Sequence, residues 1–234
     1  MRRYLPATVI LLLAAVLTGC GTATTAGAPA PAPAATSAET PAATGSSGTG
    51  ESRDVSGFTG VELTSVGDLR IEQTGTESLT IEAAPDVLPQ LTSEVAGGVL
   101  RLGVVPGASI ETDVPIVYRL TVDTLDSLTV SGAGDVTAPD LRADRLTVEI
   151  SGAGDVTLGG TVDSQVVTIS GAGDYDAEDL QSATAEITVD GAGGAVVRVS
   201  DRLDATVDGV GSVEYIGDPQ VTEDVSGVGS VEQR

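Results

Sequence analysis

Histidine and lysine are absent from this chain, and cysteine occurs once, at Cys20. Without histidine the usual general base and the commonest metal ligand are missing, so a Ser–His pair or a His-ligated metal is excluded. A single cysteine excludes an intrachain disulfide and a thiolate metal cluster. Every cation is an arginine: 11 of them stand against 34 Asp and Glu, for a formal net charge of −23. Such an excess of acid argues against nucleic acid as a partner, and against anionic lipid held through basic patches. Aromatic residues make up 2% of the 234 residues. The core must then be built from Val, Ile, Leu and Ala, which suits thin layers of β-branched residues better than a broad globular core. Outside the N-terminal apolar segment no stretch carries a capped apolar stripe at helical spacing, so helix content is expected to be close to nil.

Glycine, in contrast, is abundant at 30 residues, and twelve of these belong to one motif. The hexapeptide Ser-Gly-Ala-Gly-Asp-Val at Ser131–Val136 returns unchanged at Ser151–Val156 and, with Tyr for Val, at Ser170–Tyr175. Looser copies begin at Asp190, Asp208 and Ser226. Their starts are spaced 20, 19, 20, 18 and 18 residues apart. An alternating run precedes each copy, such as Leu146-Thr-Val-Glu-Ile150 and Val166-Val-Thr-Ile169. A unit this short cannot bury an apolar face alone, but stacked on its neighbours it buries a continuous strip. The period therefore predicts an all-β parallel solenoid with rungs of 18–20 residues, spaced by roughly 4.8 Å.

Period-two alternation refines this. If Ile150 points inward, so do Gly152, Gly154, Val156 and Leu158, while Ser151, Ala153, Asp155 and Thr157 point outward. The glycines then either let backbones approach closely or mark a corner. Upstream, Val61–Leu63, Leu69–Glu72, Leu79–Ala83 and Ile116–Val122 read as strands, and Leu91–Val95 and Val99–Val104 as two strands joined across Gly97-Gly98. Gly67-Asp68-Leu69 matches Gly134-Asp135-Val136 and reads as a degenerate early rung.

The N-terminus has its own organisation. Arg2 and Arg3 precede an apolar stretch from about Ala7 to Leu17 that is shorter than the roughly 20 residues needed to span a bilayer, so residues 1–19 read as a signal peptide. Its end, Leu17-Thr18-Gly19-Cys20, resembles the lipobox of bacterial lipoproteins. That resemblance implies cleavage before Cys20 and lipidation of that residue, palmitate-type acyl chains holding the protein at the extracytoplasmic face of the cell membrane. Residues 20–52, beyond Cys20 rich in Ala, Thr, Pro, Gly and Ser, read as a disordered tether. The head is assigned to residues 53–234.

The head resembles the bacterial head GIN domain family, described as a putative auto-transporter adhesin. The likeness rests on the opening Arg53-Asp-Val-Ser-Gly-Phe58-Thr-Gly-Val61-Glu-Leu63, on Gly67-Asp68-Leu69, and on the recurrent Ser-Gly-Ala-Gly-Asp-Val. It implies a right-handed parallel β-helix on a secreted or lipid-anchored protein and carries over no catalytic residue.

Stacking would place Asp135, Asp155 and Asp174 over one another. Like charges about 5 Å apart repel by roughly 1 kcal/mol in water, so something must offset them. Backbone N–H groups of the Gly-rich bend would do so; Ca²⁺ held by the three carboxylates is the alternative. Where the first position of a copy becomes Asp190 or Asp208, the fifth becomes Gly194 or Ser212, which keeps each copy to at most one charge and favours the backbone answer. Tyr175 stands at an inward position and reads as packing rather than as a sugar platform. Ser131, Ser151 and Ser170 have no basic partner, and no carboxylate pair is marked for polysaccharide cleavage. The expectation is a non-catalytic surface protein that binds or adheres to an envelope or extracellular polymer or partner. A Ca²⁺-binding envelope protein or a polysaccharide-acting enzyme stand as alternatives. The last rung, near Ser226–Val231, has two readings: a partner covers it, a second copy of the chain being one candidate, or charge protects it.

Overall fold

The computed structural model describes residues 49–234. The signal peptide expected at residues 1–19, Cys20 and nearly all of the expected tether lie outside the described residues. Among the described residues fifteen strands form one sheet, and the only helical element is a single turn of 3-10 helix at Leu88–Gln90.

Four long strands make the body: β9 (Val136–Ile150), β10 (Val156–Ile169), β11 (Tyr175–Val189) and β12 (Ala195–Val207). Each pairs in parallel with the next. Register puts equivalent residues on top of one another, so Ile150, Ile169, Val189 and Val207 form a fully buried inward column. This is the β-solenoid that the 18–20-residue period predicts. Beyond β12 the stack continues as β13 (Ser212–Ile216) and β14 (Gln220–Val225), which both pair with β12, and β15 (Ser230–Gln233), which pairs with β13.

The N-terminal side departs from simple sequential stacking. β2 (Gly60–Leu63) lies between β6 (Val99–Val104) and β8 (Ser127–Val130), parallel to both. Likewise β3 (Asp68–Gln73) lies between β7 (Val117–Val122) and β9. The chain therefore starts in the second rung, leaves it, fills the first rung with β6 and β7, and passes over the second to begin the third at β8. The excursion is made by β4 (Ser78–Ala83) and β5 (Leu91–Ala96), antiparallel to β7 and β6. It covers the first rung, and β1 (Thr49–Arg53) adds antiparallel to β4. Antiparallel hairpins with another register shield a parallel edge from further pairing. β1 begins within the span assigned to the tether. Its first four side chains are exposed, so it carries no apolar alternation that would mark a strand.

Gly67-Asp68-Leu69 is a rung, as the sequence suggested: Val66 bridges Ala133, and Leu69 stands beside Val136.

Candidate binding surface

Between consecutive long strands the chain turns through the hexapeptide, and the bends stack as the strands do. Alternation holds through each: in the copy at Ser151, Ser151, Ala153 and Asp155 are exposed while Gly154 and Val156 are buried. None of the twelve motif glycines has φ in the left-handed region. Their requirement is closeness. A Cβ on Gly154 would collide with the carbonyl oxygen of Gly134, and one on Gly152 with that of Gly132. The obstructed direction runs along the stack, onto the rung beneath. Close approach, rather than a corner conformation, is thus what glycine supplies here. It lets Ala153 N–H reach Gly132 O at 3.1 Å and Ala172 N–H reach Gly152 O at 3.0 Å.

Asp135, Asp155 and Asp174 are brought together in one exposed row, and each carboxylate is engaged by backbone. Asp155 N–H donates to Asp135 Oδ1 at 3.1 Å, Asp174 N–H to Asp155 Oδ1 at 3.0 Å, and Gly194 N–H to Asp174 Oδ1 at 2.6 Å. The main-chain carbonyl of Asp155 also accepts Val136 N–H at 2.8 Å. One residue thus serves the rung on either side, a charge-assisted bond offsetting the repulsion along the row. Among the described residues no group of three or more Cys, Asp or Glu converges to hold a metal ion. In the copies at Asp190 and Asp208 the charge moves to the first column, where the Ser226 hydroxyl of the uncharged last copy bonds the Asp208 carboxylate.

A substitution separates the two roles considered for the row. Asp155→Asn keeps an acceptor and removes one charge, so stability is expected to stay within about 0.5 kcal/mol; Asp155→Ala loses the acceptor and should cost about 1 kcal/mol. Thermal melts read both, and millimolar Ca²⁺ is expected to leave each midpoint unchanged. A calcium-dependent rise in the parent chain that Asp155→Ala abolishes would favour the cation reading.

The exposed bends present three parallel columns of repeating chemistry. One is hydroxylic or acidic, from Ser131 to Ser226. The middle one is apolar: Ala133, Ala153, Ala172 and Ala192, ending in Val210 and Val228, which are 61% and 75% exposed. The third begins with the Asp row.

Tyr175 lies at its expected inward position, 1% exposed. Its hydroxyl donates to Gln165 Oε1 at 2.8 Å, Gln165 Nε2 donates to Ser182 Oγ at 2.9 Å, and Ser182 Oγ donates to Arg198 O at 2.9 Å. Burial pushes the Tyr175 phenol far up, so it stays protonated and keeps the proton it donates. Tyr118, also buried and pushed up by desolvation, shares a 2.8 Å hydrogen bond with Ser65. Both tyrosines are core residues whose polar tips are satisfied.

The family model described as "putative auto-transporter adhesin, head GIN domain" matches residues 57–219. No functionally curated protein matches the sequence. Among solved structures, a putative adhesin from Bacteroides fragilis NCTC 9343 is 23% identical with a TM-score of 0.69, over 80% of this chain and 97% of its own. One from Parabacteroides distasonis ATCC 8503 is 21% identical with a TM-score of 0.52, over 80% and 97%. One from Parabacteroides merdae ATCC 43184 is 19% identical with a TM-score of 0.50, over 80% and 96%. At these identities the likeness is one of fold.

Proposed function

The chain belongs to the putative auto-transporter adhesin, head GIN domain family, and from that premise we propose that it is a lipid-anchored surface protein whose solenoid head binds an envelope or extracellular polymer or partner without catalysis. The observation that carries the reading is the exposed strip of stacked bends. It repeats hydroxyl, methyl and carboxylate groups at the rung spacing, and a repeating surface matches a repeating ligand. The head's solved relatives named as putative adhesins agree with it. Catalysis finds little support, since the exposed serines of the bends have no histidine to activate them.

Lipidated Cys20 and the tether of residues 20–52 complete the proposal, with the head displayed at the extracytoplasmic face. The test uses cells expressing the full chain or its Cys20→Ala variant, each scored for membrane fractionation and for adhesion to an array of envelope and extracellular polysaccharides. The parent chain is expected in the membrane fraction, with adhesion to at least one polymer. Cys20→Ala should lose both. Adhesion to no polymer by the parent would overturn the binding reading, and membrane retention of the variant would overturn the anchor.

A further inference from the structure

The spacing between copies falls from 20 to 18 residues after Asp190, and the structure shows where the shorter rung loses length. Pairing of β11 with β12 passes from Ala177↔Val197 directly to Gln181↔Arg198. Glu178, Asp179 and Leu180 round a corner that β12 cuts. Leu141, Gly160 and Leu180 form a column there, and β12 places no residue over Leu180. Just past the cut corner, where the register shifts again between Ser182 and Thr184, lies a groove of about 750 Å³, within the range of small-molecule sites.

The groove is floored by buried Val162 and Val199 and by Ser182, whose hydroxyl is committed to the Tyr175–Gln165 network. Arg198 lines it. Its Nε–H donates to the Glu178 carbonyl oxygen at 2.6 Å, so main chain holds the guanidinium in place. Five other arginines sit in ion pairs with carboxylates; Arg70, Arg142, Arg145 and Arg198 have none among the described residues, and of these four only Arg198 lines the groove. In a chain of net charge −23, an oriented and uncompensated guanidinium in a concavity is a recognition element for a carboxylate, which its terminal nitrogens can meet as a fork. Asp163 and Asp218 line the same groove; their carboxylates are acceptors suited to hydroxyls, and Gln233 Nε2 donates to Asp218 Oδ1 at 3.2 Å. The negative field of the whole chain disfavours a dense polyanion such as a polyphosphate.

We infer that this groove is a binding site for an acidic saccharide, a hydroxyl-rich glycan unit carrying a sparse carboxylate, with Arg198 taking the carboxylate and Asp163 and Asp218 taking hydroxyls. This rests on the binding reading above and names the ligand class for one part of the head. No aromatic residue lines the groove, so single-site affinity is weak and many anchored copies supply avidity.

The test is calorimetric titration of the full chain with a hyaluronan tetrasaccharide, in which glucuronate alternates with N-acetylglucosamine, and with the N-acetylglucosamine tetramer as its carboxylate-free counterpart. Binding of the first is expected to be at least tenfold tighter than of the second. Arg198→Ala should weaken it by about ten- to a hundredfold, and Arg70→Ala, an exposed arginine outside the groove, should leave it unchanged. Ser200→Tyr, which fills the groove without touching the Arg198 contact, should also abolish binding and serves if Arg198→Ala fails to fold. Equal affinity for the two tetrasaccharides, failure to bind the acidic one, or undiminished binding by both groove variants would overturn the inference. If cells carrying Arg198→Ala still adhere to the polymer array as the parent does, the groove is wrong and the binding reading stands; if the parent adheres to nothing, that reading has failed first.

Discussion

Gly154→Ala is expected to lower the stability of the head by about 3 kcal/mol or more, a large cost for one methyl group. In most strands this change relieves backbone entropy and is mild or favourable. Here the methyl group would meet the carbonyl oxygen of Gly134, which is main chain and cannot swing aside. The rungs must separate locally, and the bonds that cross the bend, including Asp155 N–H to Asp135 Oδ1, lengthen with them. Gly57→Ala is the matched control. That glycine has φ of +77° and nothing within 4 Å of a Cβ, so only the left-handed conformation is penalised, at about 1 kcal/mol. Thermal unfolding distinguishes the two, since each 1 kcal/mol moves the midpoint by roughly 2–4 °C in a domain of this size. A melt of Gly154→Ala within 2 °C of the parent would show that the rungs are not held at the proposed distance.

The second large effect is expected at the other end of the stack. One inward column runs Leu128, Val148, Val167, Ile187, Ala205 and then Glu223. Glu223 belongs to β14, whose outer edge pairs with no strand among the described residues. An inward-facing charge on an edge strand is a known guard against further pairing. A second copy stacking there would have to desolvate it, at a cost of several kcal/mol. The sequence left two readings of this end, cover by a partner or protection by charge; Glu223 favours the second, and a monomeric parent chain is expected. Glu223→Val would join Val221 and Val225 in an unbroken apolar alternation and is expected to tighten self-association by two to three orders of magnitude. Sedimentation velocity across a concentration series reads it. A variant that stays monomeric, or a parent that already associates, would show that Glu223 is no guard.

How far the sequence could be read follows from which features leave a periodic trace. The hexapeptide recurs because every bend needs two glycines and outward polar positions, so rung length, inward columns and the placement of Asp135, Asp155 and Asp174 were all legible. Tyr175 was legible as core by its place in the alternation. Its partner Gln165 stands two residues before Val167 and follows the same alternation, but as a polar residue it does not extend the apolar run that begins at Val166. The exchanged order of the first two rungs was not legible. Strand pattern records which face a residue takes, and β2 and β6 alternate alike whichever lies first. The groove at Arg198 was half visible. The drop from 20 to 18 residues marks a shorter rung, but not which corner closes up, since that depends on the register between β11 and β12. β1 left no trace because its side chains face solvent and only its backbone pairs.

Every copy of the glycine motif lies directly on the one before it. Distance measurement between paired nitroxide labels on the apolar column, in a chain carrying Cys20→Ser, tests it most directly. With one label at Ala133 and the other at Val210 or Val228, stacking predicts separations near 19 and 24 Å, four and five rungs at roughly 4.8 Å each. Distances that are broad, or that fail to grow by one rung spacing between the two pairs, would contradict it.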